Sequence, residues 1–182
     1  SYRYTGQSKP AFDCIEQLQK QLGEIDKLPV ALRDTYVALL MEVDRPGDAF
    51  DILGRDYDAA AGNPQRLEAL LPTLVEAASY SERGNELPPY YQKYFAAIPQ
   101  SKLSLGELAE IGRGELTDSL VAFLDHAKRY AQICEWNDFY DSSFDYYLKC
   151  AALGDEFSLA RAIALNEGLM RHTELADLLL EL

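Results

Sequence analysis

Histidine and cysteine, from which metal centres and activated nucleophiles are most often assembled, are scarce in this chain: two and three residues respectively among 182. Neither His126 nor His172 has a glutamate three residues before it or a second histidine at helical spacing. A dinuclear carboxylate bundle and a zinc-protease helix are therefore unsupported. Cys14, Cys134 and Cys150 sit in helix-like patterns rather than close-spaced metal pairs, and an odd number leaves at least one unpaired. They read as small core residues of a protein from a reducing compartment. Pairing Cys134 with His126 would join residues about 12 Å apart along one straight helix, too far for a hydrogen bond.

Other signatures are missing as well. Gly112-Arg113-Gly114 has neither the following lysine nor the preceding strand of a phosphate loop, and no serine sits in a Gly-x-Ser-x-Gly context. No apolar run approaches the roughly 18 residues that span a bilayer, and the polar N-terminus has no secretory h-region, so the expectation is a cytoplasmic protein without membrane contact. Ser1 is not an initiator methionine, so the chain reads as processed, trimmed or cut from something larger. No segment alternates with period two between hairpin signals, which excludes recognisable strands. No metal or cofactor is expected.

Positive charge is also in deficit. Seventeen Lys and Arg against thirty Asp and Glu leave a formal charge of −13. Such a surface repels phosphate backbones and anionic lipid, which disfavours direct nucleic-acid or membrane binding, keeps the protein soluble and allows a basic protein partner.

What is present is apolar periodicity. Hydrophobic residues make up 48% of the chain and charged residues 26%, a globular composition. Residues 1–9 read as a flexible polar segment and 10–182 as a single all-α domain. Ser8 caps a first helix with Pro10 near its start and Phe12, Ile15, Leu18 and Leu22 on one face as far as Gly23. Pro29 opens a second, with Tyr36, Leu39, Leu40 and Val43, and Pro46-Gly47 is expected to end it in a left-handed turn. Asp48 caps a third, carrying Phe50, Leu53 and Tyr57 and closed by Gly62-Asn63-Pro64. The fourth runs from Pro64 to Tyr80, with a kink or break expected at Pro72.

Residues 81–89, with Gly84, Asn85, Pro88 and Pro89, are the hinge candidate. Beyond them Tyr90, Tyr91, Tyr94 and Phe95 make a short aromatic helix ended by Pro99. Ser104 with Glu107 has the spacing of a capping box. A long helix follows from Thr117 or Asp118 to about Trp136, then Phe139 to Leu153 stopped by Gly154, then Asp155 to about Asn166, with Gly168 interrupting before a last helix at about 173–182.

A row of helical pairs punctuated by Gly-Asp invites a search for repeats. The stretch 33–64 resembles a tetratricopeptide repeat, with Tyr36, Leu39 and Val43 at large positions, Gly47 in the turn, Ala59 at a small position and Pro64 at the end. Leu40 and Ile52 replace small residues of that pattern, and Asp56 replaces an aromatic. The stretch 146–182 resembles the related Sel1-like variant, Tyr-x-Lys-Ala-Ala-x-x-Gly-Asp-x-x-Ala, through Tyr147, Lys149, Cys150, Ala151, Gly154, Asp155 and Ser158. Gly168, Leu169, Ala176 and Leu179 echo the next turn and helix, and Asn166 stands where an aromatic is usual. The resemblance implies antiparallel helical hairpins stacked as a short, irregular solenoid or bundle.

Two aromatic stretches are candidate partner-binding surfaces. Trp136, Tyr140, Asp141 and Asp145 mix large amphipathic rings with carboxylates, a combination suited to a basic peptide. Tyr90, Tyr91 and Tyr94 cannot all fit one narrow face, so at least one should be exposed. The leading expectation is a non-enzymatic adaptor or scaffold that docks a basic or amphipathic peptide or helix of another protein. An acidic inhibitor or immunity-type protein that neutralises a basic toxin or nucleic-acid-binding protein is the alternative. An enzyme with an unrecognised site is a further alternative without a motif. The leucines at 178, 179, 180 and 182 occupy more than one face, pointing either to self-association through the C-terminal helix or to an absent continuation.

Overall fold

The computed structural model describes residues 10, 12–14, 16, 17, 20, 25 and 28–181. Among them no strand occurs, and the fold is all-α. Of the expected first helix, residues 10, 12–14, 16, 17 and 20 are helical, while Ser8, Ile15, Leu18, Leu22 and Gly23 lie outside the described residues, as does the segment 1–9. The chain divides into two compact units, Ser1–Leu87 and Pro88–Leu182. The division falls inside the stretch 81–89.

In the first unit, α1 (Val30–Glu42), α2 (Pro46–Ala59) and α3 (Pro64–Tyr80) follow one another through short reversals. Prolines at the first position of α2 and α3 give up an N–H that a helix start leaves unbonded anyway, and Asn63 caps α3 by accepting from the Arg66 N–H at 3.1 Å. Tyr36, Leu40, Phe50, Leu53, Tyr57, Leu67, Leu71 and Leu74 are buried between the helices. Pro72 does not break α3. It lies on the exposed side together with Glu68, whose carbonyl is the one left without a donor, so solvent can satisfy that group.

Asp56 is a buried charge. Its carboxylate oxygens lie 2.9 and 3.1 Å from Nε of Arg33, whose Nη1 donates to the Leu28 carbonyl at 2.6 Å. The pair ties α1 to α2, and removing either partner would strand the other charge. Arg83, beyond α3, reaches back to Asp51 of α2 at 2.7 Å and lies over the Phe50 ring.

The second unit comprises α4 (Pro88–Ala97), α5 (Leu105–Gly112), α6 (Asp118–Trp136), α7 (Tyr140–Ala152), α8 (Glu156–Leu169) and α9 (His172–Glu181). Helix α7 is its centre, packed by α6 and α8 and touched by α5 and α9. The α6–α7 contact uses small residues: Ala127, Ala131 and Cys134 face Ser143, Cys150 and Ala151, and the buried Ser143 hydroxyl donates to the Ala131 carbonyl at 2.9 Å. Large rings fill the flank, where Tyr130 lies 5.5 Å from Tyr91 and from Phe95 and 4.7 Å from Tyr146. The Ser104–Glu107 capping box is complete in both directions at the start of α5.

Four helix ends share one reversal. After α1, α3, α6 and α7 a residue at positive φ (Asp44, Glu82, Asp138, Gly154) is followed by one whose N–H bonds the carbonyl five residues back: Arg45 to Leu40, Arg83 to Ala78, Phe139 to Cys134 and Asp155 to Cys150. This is the bond of a Schellman motif. Only one of the four uses glycine, which corrects two expectations. Gly47 lies in the first turn of α2, as does Asp48, which therefore does not cap it, Arg45 being the cap residue, and Asp44 takes the left-handed position. Gly168 lies inside α8, and Met170 ends that helix at φ 56°.

Gly112 marks the closest approach of α5 to the end of α7. A Cβ there would lie 2.5 Å from the Ala152 carbonyl oxygen and 2.9 Å from Leu153 Cα. Because the obstacle is backbone, Gly112→Ala should cost about 1–3 kcal/mol, read as a lower urea midpoint. An unchanged midpoint would mean that α5 can retreat freely.

Candidate functional site

The α6–α7 reversal carries the most exposed aromatic surface of the second unit. Helix α6 ends at Trp136, Asn137 anchors the turn by donating from Nδ2 to the Ile133 carbonyl at 2.7 Å, and Asp138 adopts the left-handed conformation. The chain therefore projects Trp136, Phe139 and Tyr140 outward, at 79, 51 and 43% exposure. Phe139, which could have been core like Phe144 and Tyr147, is surface. The Tyr140 hydroxyl donates to Asp138 Oδ1 at 2.6 Å, and that bond to a carboxylate holds its phenol above the ordinary value.

Carboxylates flank these rings along the chain, at Glu135, Asp138 and Asp141. Glu135 accepts hydrogen bonds from Tyr147 and Arg161, joining α6 to α7 and α8. Arg171, just before α9, lies 2.7 Å from Asp145, 3.0 Å from Glu174 and 3.5 Å from Asp141, with its guanidinium over the Phe144 ring. Three acids around one arginine leave a negative excess. The arginine's hydrogen bond holds the Glu174 carboxyl below its usual range. Asp141 remains largely exposed, so Trp136, Tyr140, Asp141 and Asp145 all belong to the surface of one hairpin and its α9 neighbour.

The second aromatic stretch does not form such a surface. Tyr91 and Tyr94 are buried with Phe95 and Ile98, packed against His126 at 6.4 and 5.0 Å between ring centroids. This corrects the expectation that they meet a partner. Spacings of three, four and seven residues from Tyr91 put all four on one stripe of α4, the signal that marks them as core. Tyr90 falls off that stripe and is half-buried.

Neither buried cysteine is a prepared nucleophile. Cys134 and Cys150 are buried and unpaired, burial pushes both thiols up, Cys150 to about 12, and thiols held protonated are inert at neutral pH. Among the described residues no group of three or more His, Cys, Asp or Glu side chains is placed to hold a metal, and no helix is long and apolar enough to cross a membrane. In the first unit a cleft of about 410 Å³ is lined by Arg33, Asp56, Asn63 and Arg66, but Arg33 is paired with Asp56 and Arg66 with Asp34, so its charges are already matched. Comparison with family models, with curated proteins and with solved structures gives no match.

Asp155 holds the α7–α8 reversal that supports this surface from its far end. Its carboxylate caps α8 by accepting from the Ser158 N–H at 2.9 Å and pairs with Lys128 of α6 at 2.7 Å, while the Lys128 ammonium lies over the exposed Phe157 ring. Burial alone would raise the Asp155 carboxyl, but the bonds from Lys128 and Ser158 outweigh it and leave the group below its ordinary value. As pH falls the unfolded chain then takes up this proton first, so the contribution is complete above the ordinary aspartate range and lost as pH drops through the depressed value. Asp155→Asn, which keeps a capping oxygen, should cost about 1 kcal/mol at neutral pH and flatten the acid limb of a stability–pH curve measured by urea unfolding. An acid limb identical to that of the parent would remove Lys128–Asp155 from the account.

Proposed function

We propose that the chain is a non-enzymatic protein-interaction module that docks a basic or amphipathic segment of another protein on the α6–α7 reversal. The observation that carries this reading is the exposure of its single tryptophan, Trp136, beside Phe139 and Tyr140 and among carboxylates. Large rings with polar tips supply contact area at low entropic cost, and adjacent acids select a cation-bearing partner and speed its approach. The resemblance of 33–64 and 146–182 to tetratricopeptide and Sel1-like repeats supports the same class of function. In that reading Gly154, at φ 92°, and the capping Asp155 are the Gly-Asp of a repeat turn. Three free thiols fit a reducing compartment such as the cytoplasm.

Trp136 is its own reporter. Titration with a lysine-rich peptide carrying aromatic residues should shift its fluorescence to shorter wavelength, and the double variant Trp136→Ala, Tyr140→Ala should bind roughly thirtyfold more weakly or worse, judged by the anisotropy of the labelled peptide. Both positions are surface, so the thermal midpoint should hardly move. Raising salt from about 0.1 to about 0.5 M should weaken binding only modestly if the rings dominate. A collapse of affinity with salt would favour the acidic-inhibitor alternative, and undiminished binding by the double variant would reject the surface.

A further inference from the structure

A second surface of the same unit has a different character. Helix α9 buries Leu175 and Leu178 but leaves Leu179 and Leu180 outside, Leu180 at 85% exposure. Where α9 meets the first turn of α5, Leu105, Gly106, Asp177, Leu178 and Leu180 line an open groove of about 340 Å³. An exposed leucine over a recess beside buried leucines is apolar surface that folding of this unit leaves uncovered.

The charges of the two helices that border the groove have one sign. Helix α5 carries Glu107 and Glu110, α9 carries Glu174 and Asp177, and neither contains lysine or arginine. Glu107 is engaged with the backbone and hydroxyl of Ser104, which neutralises the positive end of α5 at the groove mouth. Lys102 and Arg113 stand in the segments flanking α5, and Arg171 is held by Asp145 and Glu174. An exposed leucine over a recess, Asp177 in its lining and only acidic charges on the two bordering helices together describe the complement of one kind of ligand.

We propose that the α5–α9 groove binds an amphipathic helix of a partner protein whose apolar stripe meets the half-buried Leu105 and the exposed Leu180 and whose flanking residues are lysine or arginine. Apolar anchors in a groove supply affinity, and Asp177 with the other acids of the bordering helices fixes orientation and rejects acidic helices. A second copy of this chain is a poor occupant, because two such faces would bring like charges together in a molecule of charge −13. The site is separate from the α6–α7 reversal and does not depend on it.

The test uses the full chain labelled with nitrogen-15 and two synthetic 18-residue helical peptides with the same leucine stripe, one with lysine and one with glutamate on the polar face. The lysine peptide should perturb amide signals of Leu105–Ile111 and Leu175–Leu180 and bind at least tenfold more tightly than the glutamate peptide. Leu180→Ser, at a solvent-exposed position, should leave the melting curve unchanged and weaken binding about tenfold; Asp177→Asn should weaken the lysine peptide alone. Perturbations confined to Trp136–Tyr140 would overturn the groove while leaving the proposed function standing. Equal affinity for both peptides, no perturbation by either, or full binding by Leu180→Ser would each overturn it. So would sedimentation showing a dimer that Leu180→Ser dissociates, since the occupant would then be a second copy.

Discussion

The close approach of α6 and α7 is the constraint on which the second unit depends. Ala127, Ala131 and Cys134 on one helix and Ser143, Cys150 and Ala151 on the other are all buried, and none is large enough to hold the axes apart. Ser143 could not be replaced by a bulkier apolar residue without loss of its bond to the Ala131 carbonyl, and a longer side chain would push into the α6 backbone. With the centre of the contact filled by small groups, the aromatic side chains are displaced to its edges. There Tyr130, Tyr146, Phe95 and Tyr91 form one cluster, and Tyr147 and Phe157 meet on the α8 side.

The same constraint sets what remains outside. The two helices reverse in few residues, and the Schellman bond from Phe139 to Cys134 closes that reversal with Asp138 left-handed. At this turn Trp136, Phe139 and Tyr140 face solvent. Helix α7 is also touched by α5 and α9, and the uneven leucines of α9 leave the second apolar surface. Both surfaces are bordered by carboxylates, in keeping with a chain in which acids outnumber bases by thirty to seventeen.

Helix number, spacing and most helix starts were legible in the sequence because they rest on local chemistry: Asn63-Pro64, Ser104 with Glu107, and Gly154-Asp155 lie at the boundaries their side chains predict. Helix ends were less legible. A non-glycine residue in the left-handed conformation costs only about 1–2 kcal/mol, which tertiary packing readily offsets, so Asp44 and Met170 took positions that a search for glycine assigns to Gly47 and Gly168. Pro72 was tolerated because its unbonded carbonyl faces out, a fact of burial rather than of local sequence. The mixture of rings and acids around Trp136 lies on exposed positions. The burial of Tyr91 and Tyr94 was also readable, from their stripe with Phe95 and Ile98, once periodicity is weighed above aromatic content. Asp56 and Asn166 were not readable, since only the folded chain brings Arg33 to the first and His172 to the second, at 2.7 Å.

Native-state hydrogen exchange tests the central place of α7 most directly. If the α6–α7 contact holds the unit together, amides from Phe123 to Cys134 and from Phe144 to Cys150 exchange only through complete unfolding of the unit, while those of α9 exchange through smaller, local openings. Amides of α7 exchanging as fast as those of α9 would contradict the account, because the helix placed at the centre would then be no better held than the one at its margin.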